Sequence, residues 1–237
     1  DTYCIDFQKL EKAITPRTKA IIPVDFTGQP CAMDEINAIA KRHNLMVIHD
    51  AAHSLGASYK ERAVGLLAPL TIFSFHPVKH ITTGEGGMVC SSSPELVERI
   101  RDLRDYDNRH SYRVRYNYKM SDLHASLGLA QLSRLPTMLA RRRDLADRYD
   151  AALADLDLCS PPRREGCEPI FYRYVVRTSR LEHVLPAFAA RQVECKRPVF
   201  RPLHRYLNGG APELPHTDRF QAEALSLPLY PAMDDDE

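Results

Sequence analysis

Apolar and polar positions along the chain follow two different periods. Largely apolar runs bounded by turn residues occur at 19–24 (KAIIPV), 45–49 (LMVIH), 71–75 (TIFSF) and 88–91 (MVCS). The first two read as buried strands and the other two as further strands. Between the first two lies 33–43, where Ile36, Ile39 and Ala40 recur at helical spacing. Strand, helix and strand at this length form a βαβ unit, which requires a parallel sheet. A helix is expected over 94–104 with Ser93 as its N-cap. A long helical pattern follows over 121–153, carrying Leu123, Leu127, Ala130 and Leu132 and interrupted at Pro136.

The texture changes after Asp155. Residues 160–166 read as a loop, 170–176 as a strand, 181–191 as a helix and 225–229 as a short strand, with prolines dense throughout. The pattern predicts an α/β large domain over 1–154 and a smaller α+β domain over 155–237. The last residues, 231–237, read as the N-cap and first turn of a further helix, so the chain is expected to be truncated at both ends. No internal repeat or low-complexity stretch interrupts this plan.

Composition narrows the class. The chain has 237 residues, 44% apolar and 27% charged, ordinary for a soluble globular protein. A net charge of +1 gives no electrostatic reason to expect nucleic acid or an anionic membrane as partner. No apolar run is long enough for a transmembrane helix. The six cysteines form no C-x-x-C pair and stand at no zinc spacing with histidine. They read as reduced thiols of a cytoplasmic protein, with no metal site expected.

Three polar residues stand where parallel strands end. Asp50 ends one apolar run, Ser74 lies near the end of the next, and Lys79 sits in the loop that follows. Ligands of open α/β sheets bind at the carboxyl ends of strands, so the three should converge on one crevice. The loop carries Gly84, Gly86 and Gly87, residues that let backbone approach another group closely. A lysine held between His76 and His80 in a dry crevice would lose its proton more readily, and a neutral amine forms Schiff bases. A carboxylate at the base of the site would suit a pyridinium nitrogen. Spacing alone leaves a plain ion pair and a Schiff-base site both open.

The segments 48–56 (IHDAAHSLG), 74–87 (SFHPVKHITTGEGG) and 116–128 (YNYKMSDLHASLG) resemble, in order, three motifs of the DegT/DnrJ/EryC1/StrS sugar aminotransferases. These are E-D-A-A-[HQ]-x-x-G, S-F-H-x-x-K-x-x-x-x-G-E-G-G and Y-N-Y-R-M-[ST]-[ED]-x-Q-A-A-L-G. Residues 14–24 and 28–30 match as well, so the resemblance covers essentially the whole chain. It implies a PLP-dependent transferase of fold type I, with a three-layer αβα large domain and a small C-terminal domain. Lys79 corresponds to the lysine that binds pyridoxal 5′-phosphate (PLP) covalently and later moves a proton. Asp50 corresponds to the aspartate on the pyridine nitrogen, and His53 to the residue near the phenolic oxygen. Ser74 matches the serine that binds the phosphate. Asn117 matches the asparagine that reaches the phosphate from the neighbouring subunit of a homodimer. The implied reaction takes an amino group from glutamate and delivers it to a keto group on a nucleotide-linked sugar, for polysaccharide or deoxyaminosugar synthesis.

The chain departs from the family's pattern in places. Lys119 stands where the family has Arg, and Tyr172 where many members have His. The family's N-terminal phosphate loop is not in the sequence. Two alternatives follow: a PLP-dependent sugar dehydratase, against which Lys79 argues, and an inactive fragment or binding partner. His53 and Ser74 also read as an ordinary strand-end histidine and a buried hydroxyl. Arg141, Arg142 and Arg143 are expected on a solvated helix face, and Arg197, Arg201, His204 and Arg205 are candidates for substrate anions.

Overall fold

The computed structural model describes residues 2–161, 163–207 and 213–235. They fall into two compact units, one of residues 1–139 with 163–170, the other of 140–162 with 171–237. The division falls at residue 140 rather than near 155 for a packing reason. The second half of the long helix buries Leu145 and Ala146 in the second unit's core.

The first unit runs, in chain order, through helix α1 (Phe7–Ala13), strand β1 (Ala20–Ile21), helix α2 (Met33–Arg42) and strand β2 (Met46–Asp50). Then come β3 (Ser58–Tyr59), β4 (Arg62–Ala63), β5 (Leu70–Ser74), β6 (Gly87–Cys90), α3 (Pro94–Leu103) and α4 (Asp122–Leu132). Its main sheet has the order β1-β2-β5-β6. β1, β2 and β5 are parallel, as the βαβ pattern requires, whereas β6 runs antiparallel to β5. β6 departs from the parallel expectation because it returns through a hairpin-like loop with no crossover helix. α2 buries Met33, Ile36, Ile39 and Ala40, with Asp34 and Glu35 in its first turn and Lys41 and Arg42 in its last. That arrangement complements the helix dipole.

Ser93 caps α3 as expected, its side chain accepting from the Leu96 N–H. The long helical pattern is two helices, α4 and α5 (Leu135–Leu153). Pro136 occupies the first turn of α5, where its missing N–H costs nothing. α1 and the β3–β4 hairpin escaped the pattern reading, because short polar-rich elements carry little periodicity. β7 (Cys167–Glu168) joins this hairpin by pairing with β3, returning residues 163–170 to the first unit.

The second unit packs the rest of α5 with β8 (Tyr174–Arg177), α6 (Leu181–Ala190), α7 (Pro215–Glu223) and β9 (Ala224–Leu227). β8 and β9 pair antiparallel over Leu145, Tyr174, Val176, Leu181 and Leu225, which form the core. The helix start expected over 231–237 lies partly on 236–237, outside the described residues. All six cysteines are free thiols. No described helix is long and apolar enough to cross a membrane, and no described group of His, Cys, Asp and Glu forms a metal site.

Candidate active site

The site starts from the register of β2 against β5. Asp50 is the last residue of β2 and stands opposite Ile72, two residues before the end of β5. Its backbone is fixed on both sides: its N–H donates to Pro23 O at 2.8 Å, and its own carbonyl accepts from the Asp25 N–H at 3.0 Å. Its half-buried carboxylate is capped through Oδ1 by the Ala52 N–H at 3.0 Å. Asp50 is thus aimed by the strand and by the turn that follows.

Ser74 ends β5 opposite Gly87, and its Oγ accepts the His76 N–H at 3.3 Å. The chain then turns, with the Lys79 N–H donating to His76 O at 2.9 Å. Lys79 is half-buried and His76 exposed. The loop is closed at its base by Phe75 N–H to Gly86 O at 2.9 Å and Thr83 N–H to Phe75 O at 3.0 Å. Gly87 is needed because a Cβ there would stand 2.8 Å from the Phe73 carbonyl oxygen. Gly84 is needed because its φ is +79°.

α4 holds the same loop. Gln131 accepts the Thr82 N–H at 3.1 Å and donates to Thr82 O at 3.1 Å, a paired clamp on the lysine loop. Gly128 allows the approach, since a Cβ there would come within 2.8 Å of Thr83 Cγ2. Gln131 was not singled out in the sequence because it reads as an ordinary polar position on a helix.

His53 lies in the turn after Asp50, half-buried, its ring 5.7 Å from that of Phe26. The structure therefore brings Asp50, His53, Ser74 and Lys79 to the carboxyl-end edge of β2 and β5. Asn117 lies in the first unit, exposed and bridged to Asp105. Lys119 pairs locally with Asp105 at 3.2 Å. The Asp107 N–H, with Lys119, holds the Asp105 carboxyl below its usual range.

Sequence reasoning also missed a fully buried polar group behind this edge. Asp25 accepts the Cys31 N–H at 2.9 Å and the Ser54 hydroxyl at 2.6 Å, and His49 Nε2 lies 2.8 Å from its Oδ1. The only available signal was a histidine inside the otherwise apolar run of β2. The neighbouring Cys31 thiol is pushed well up, first by its contact with the Cys4 thiol and then by burial.

In the second unit the candidate anion binders are already engaged. Arg197 pairs with Glu182 and donates to Gln221 O at 2.7 Å. His204 and Arg205 both sit 2.9 Å from Asp218, and Arg201 donates to the Arg205 carbonyl. The solvated face expected for Arg141–Arg143 is corrected at its centre. Arg142 is buried and donates to the carbonyls of Phe171 and Leu229 at 3.1 and 3.2 Å. Burial pushes its guanidinium down to about 10. Tyr172, at the position where many family members carry His, is buried.

A carboxylate, a hydroxyl and a primary amine on one strand edge make a donor set that fits PLP. The carboxylate suits a protonated ring nitrogen, the hydroxyl a phosphate oxygen and the amine an aldehyde.

Known proteins resemble the chain in sequence and fold. The spore coat polysaccharide biosynthesis protein SpsC of Bacillus subtilis is 36% identical over 265 residues, covering 100% of this chain and 68% of that protein. GDP-perosamine synthase of Caulobacter vibrioides is 37% identical, covering 97% of this chain and 66% of that protein. The crystal structure of Streptomyces venezuelae DesV with a ketimine intermediate superposes with a TM-score of 0.92 at 34% identity, covering 98% of this chain and 66% of that one. The chain thus spans about two thirds of the length of these relatives. The fold is PLP-dependent transferase fold type I, shared with several aminotransferases at TM-scores near 0.9. Over residues 1–237 the sequence matches one family of PLP-dependent enzymes throughout, and the chain belongs to the DegT/DnrJ/EryC1/StrS aminotransferase family.

Proposed function

We propose that the protein transfers an amino group from glutamate to a keto group on a nucleotide-linked sugar, with PLP held by Asp50, His53, Ser74 and Lys79. The observation that carries this reading is the convergence of Asp50, Ser74 and Lys79 on one edge of the β2–β5 pair. PLP, when bound, supplies an electron sink for the carbon that loses its proton.

This chain's residues supply the rest. The Asp50 carboxylate, held by the Ala52 N–H, would face the ring nitrogen and keep it protonated. The Lys79 amine would be the covalent attachment point and then the general base that moves a proton between the substrate's α-carbon and the carbon of the cofactor's former aldehyde, which lie on either side of one nitrogen. A base fixed at close range gains from proximity as well as from its basicity. Ser74 holds the phosphate while no covalent link retains the cofactor. His53 lies against Phe26 and would meet the phenolic oxygen.

We assign the protein to a homodimer in which Asn117 of one subunit reaches the phosphate of the other. The support is the exposure of Asn117 together with that of Tyr112, Tyr116, Tyr118, Leu123 and Leu127, large apolar side chains close to it in the chain. The six free thiols suit the cytoplasm.

Product analysis tests the reaction. A 4-ketosugar nucleotide and glutamate should give an aminosugar nucleotide and 2-oxoglutarate in equal amounts. 2-Oxoglutarate without an aminosugar would contradict transamination, and loss of a sugar hydroxyl instead would favour a dehydratase.

A further inference from the structure

Asp25, His49 and Ser54 are fully buried, yet none belongs to the set that would touch PLP. A buried carboxylate needs a compensating charge or several donors. Asp25 has donors in the Cys31 N–H and the Ser54 hydroxyl, and the His49 ring stands 2.8 Å away. The His49 approach is a close contact without an aligned hydrogen bond, and Nδ1 finds no hydrogen-bond partner among the described residues. A group this costly to bury is not there for core stability alone, since apolar residues of similar size would pack as well.

What Asp25 holds is the frame of Asp50. Its N–H donates to the Asp50 carbonyl at 3.0 Å, beside the Val24–Asp50 bridge. Its carboxylate grips Ser54 Oγ at 2.6 Å, and the Ser54 N–H in turn donates to Ala51 O at 3.0 Å. The turn so fixed contains Ala52, whose N–H caps Asp50 Oδ1, and also His53. His49 adjoins Asp50 on β2, and side chains alternate across a strand, so it reaches Asp25 from the face opposite the Asp50 carboxylate. One buried carboxylate therefore ties together the strand end, the capping turn and the preceding loop.

We propose that Asp25, braced by His49 and Ser54, is a positioning residue that sets the direction of the Asp50 carboxylate toward the pyridine nitrogen. This rests on the reading of Asp50 as the cofactor's ring partner. A carboxylate whose aim is preset loses little freedom when it meets its partner, and a misdirected one binds and tunes the ring poorly.

The test compares Asp25→Asn, Ser54→Ala, Asp50→Asn and Tyr59→Phe in the protein containing this full chain. Tyr59→Phe removes a different hydrogen bond of the first unit, to Glu35 at 3.3 Å, and serves as the purely structural control. Two readouts beyond activity are taken: the PLP dissociation constant by equilibrium dialysis, and the wavelength of the visible band of the bound cofactor. Asp25→Asn should weaken PLP binding about tenfold and Ser54→Ala about threefold, and both should shift the band in the direction Asp50→Asn shifts it. Tyr59→Phe should lower Tm while leaving both readouts at wild-type values. If Asp25→Asn does not fold, Ser54→Ala decides alone. The proposal is overturned if Ser54→Ala, or a folded Asp25→Asn, lowers Tm but leaves affinity and band unchanged while Asp50→Asn alters them. If Asp50→Asn itself alters neither, the assignment of Asp50 fails and this inference falls with it.

Discussion

At the scale of single residues, the site depends on a few atoms that have no slack. Gly87 is one of them. The alanine methyl in Gly87→Ala would press on the Phe73 carbonyl at 2.8 Å, inside the β5–β6 ladder that closes the lysine loop. Overpacking of this kind costs about 1–3 kcal/mol. The variant should show that loss in urea unfolding and should bind PLP more weakly; full stability with full affinity would show that the loop does not need this close approach. Asp50, Ser74 and Lys79 were legible in the sequence because each stands at a strand end, where chemistry-bearing side chains stand out against an apolar run. Asp25 and Gln131 were not legible. Their importance comes from contacts 29 and 49 positions away, to Ser54 and Thr82, and no local spacing encodes such pairs.

At the scale of elements, α4 acts as a clamp on the loop that carries Lys79. Gln131→Ala would remove two hydrogen bonds to Thr82, worth about 1 kcal/mol each. Hydrogen exchange should accelerate across residues 79–86 with little change in β2. Uniform protection in both would mean the clamp carries no load. In the second unit, Arg142→Met would leave the Phe171 and Leu229 carbonyls without their donor. The expected cost is about 2–4 kcal/mol, read as a lower urea midpoint. The strands and long helices were visible as patterns because their apolar residues fall in short runs or at helical spacing. The antiparallel turn of β6 was hidden, since an apolar run does not reveal its direction. So was Arg142, because a basic triplet on a helix looks solvated until the carbonyls facing it are known.

At the scale of the whole molecule, charge and apolar surface govern stability and assembly. Several carboxyls lie below their usual range, each chiefly through one cation: Glu11 by Arg42, Asp34 by Lys60, Asp102 by Arg115 and Asp218 by Arg205. A depressed folded-state value means the unfolded chain binds protons first. The stabilisation is therefore present above the ordinary carboxylate range and drains away as pH falls through and below it. These pairs are exposed, so salt screens them. Acid unfolding should begin at higher pH when ionic strength is raised, and an onset independent of salt would deny the pairs this role. In the proposed homodimer the subunit contact includes the exposed face of α4, where Leu123 is 80% exposed. Leu123→Glu combined with Leu127→Glu should shift the protein from dimer to monomer in sedimentation and weaken PLP binding with it. A dimer unaffected by both charges would place the subunit contact elsewhere.

The most direct measurement is borohydride reduction of the PLP-loaded protein followed by peptide mapping. The fixed cofactor should be found on Lys79 alone, with Lys79→Ala showing neither the visible band nor a labelled peptide. A label on any other lysine, or a band that persists in Lys79→Ala, would contradict the account.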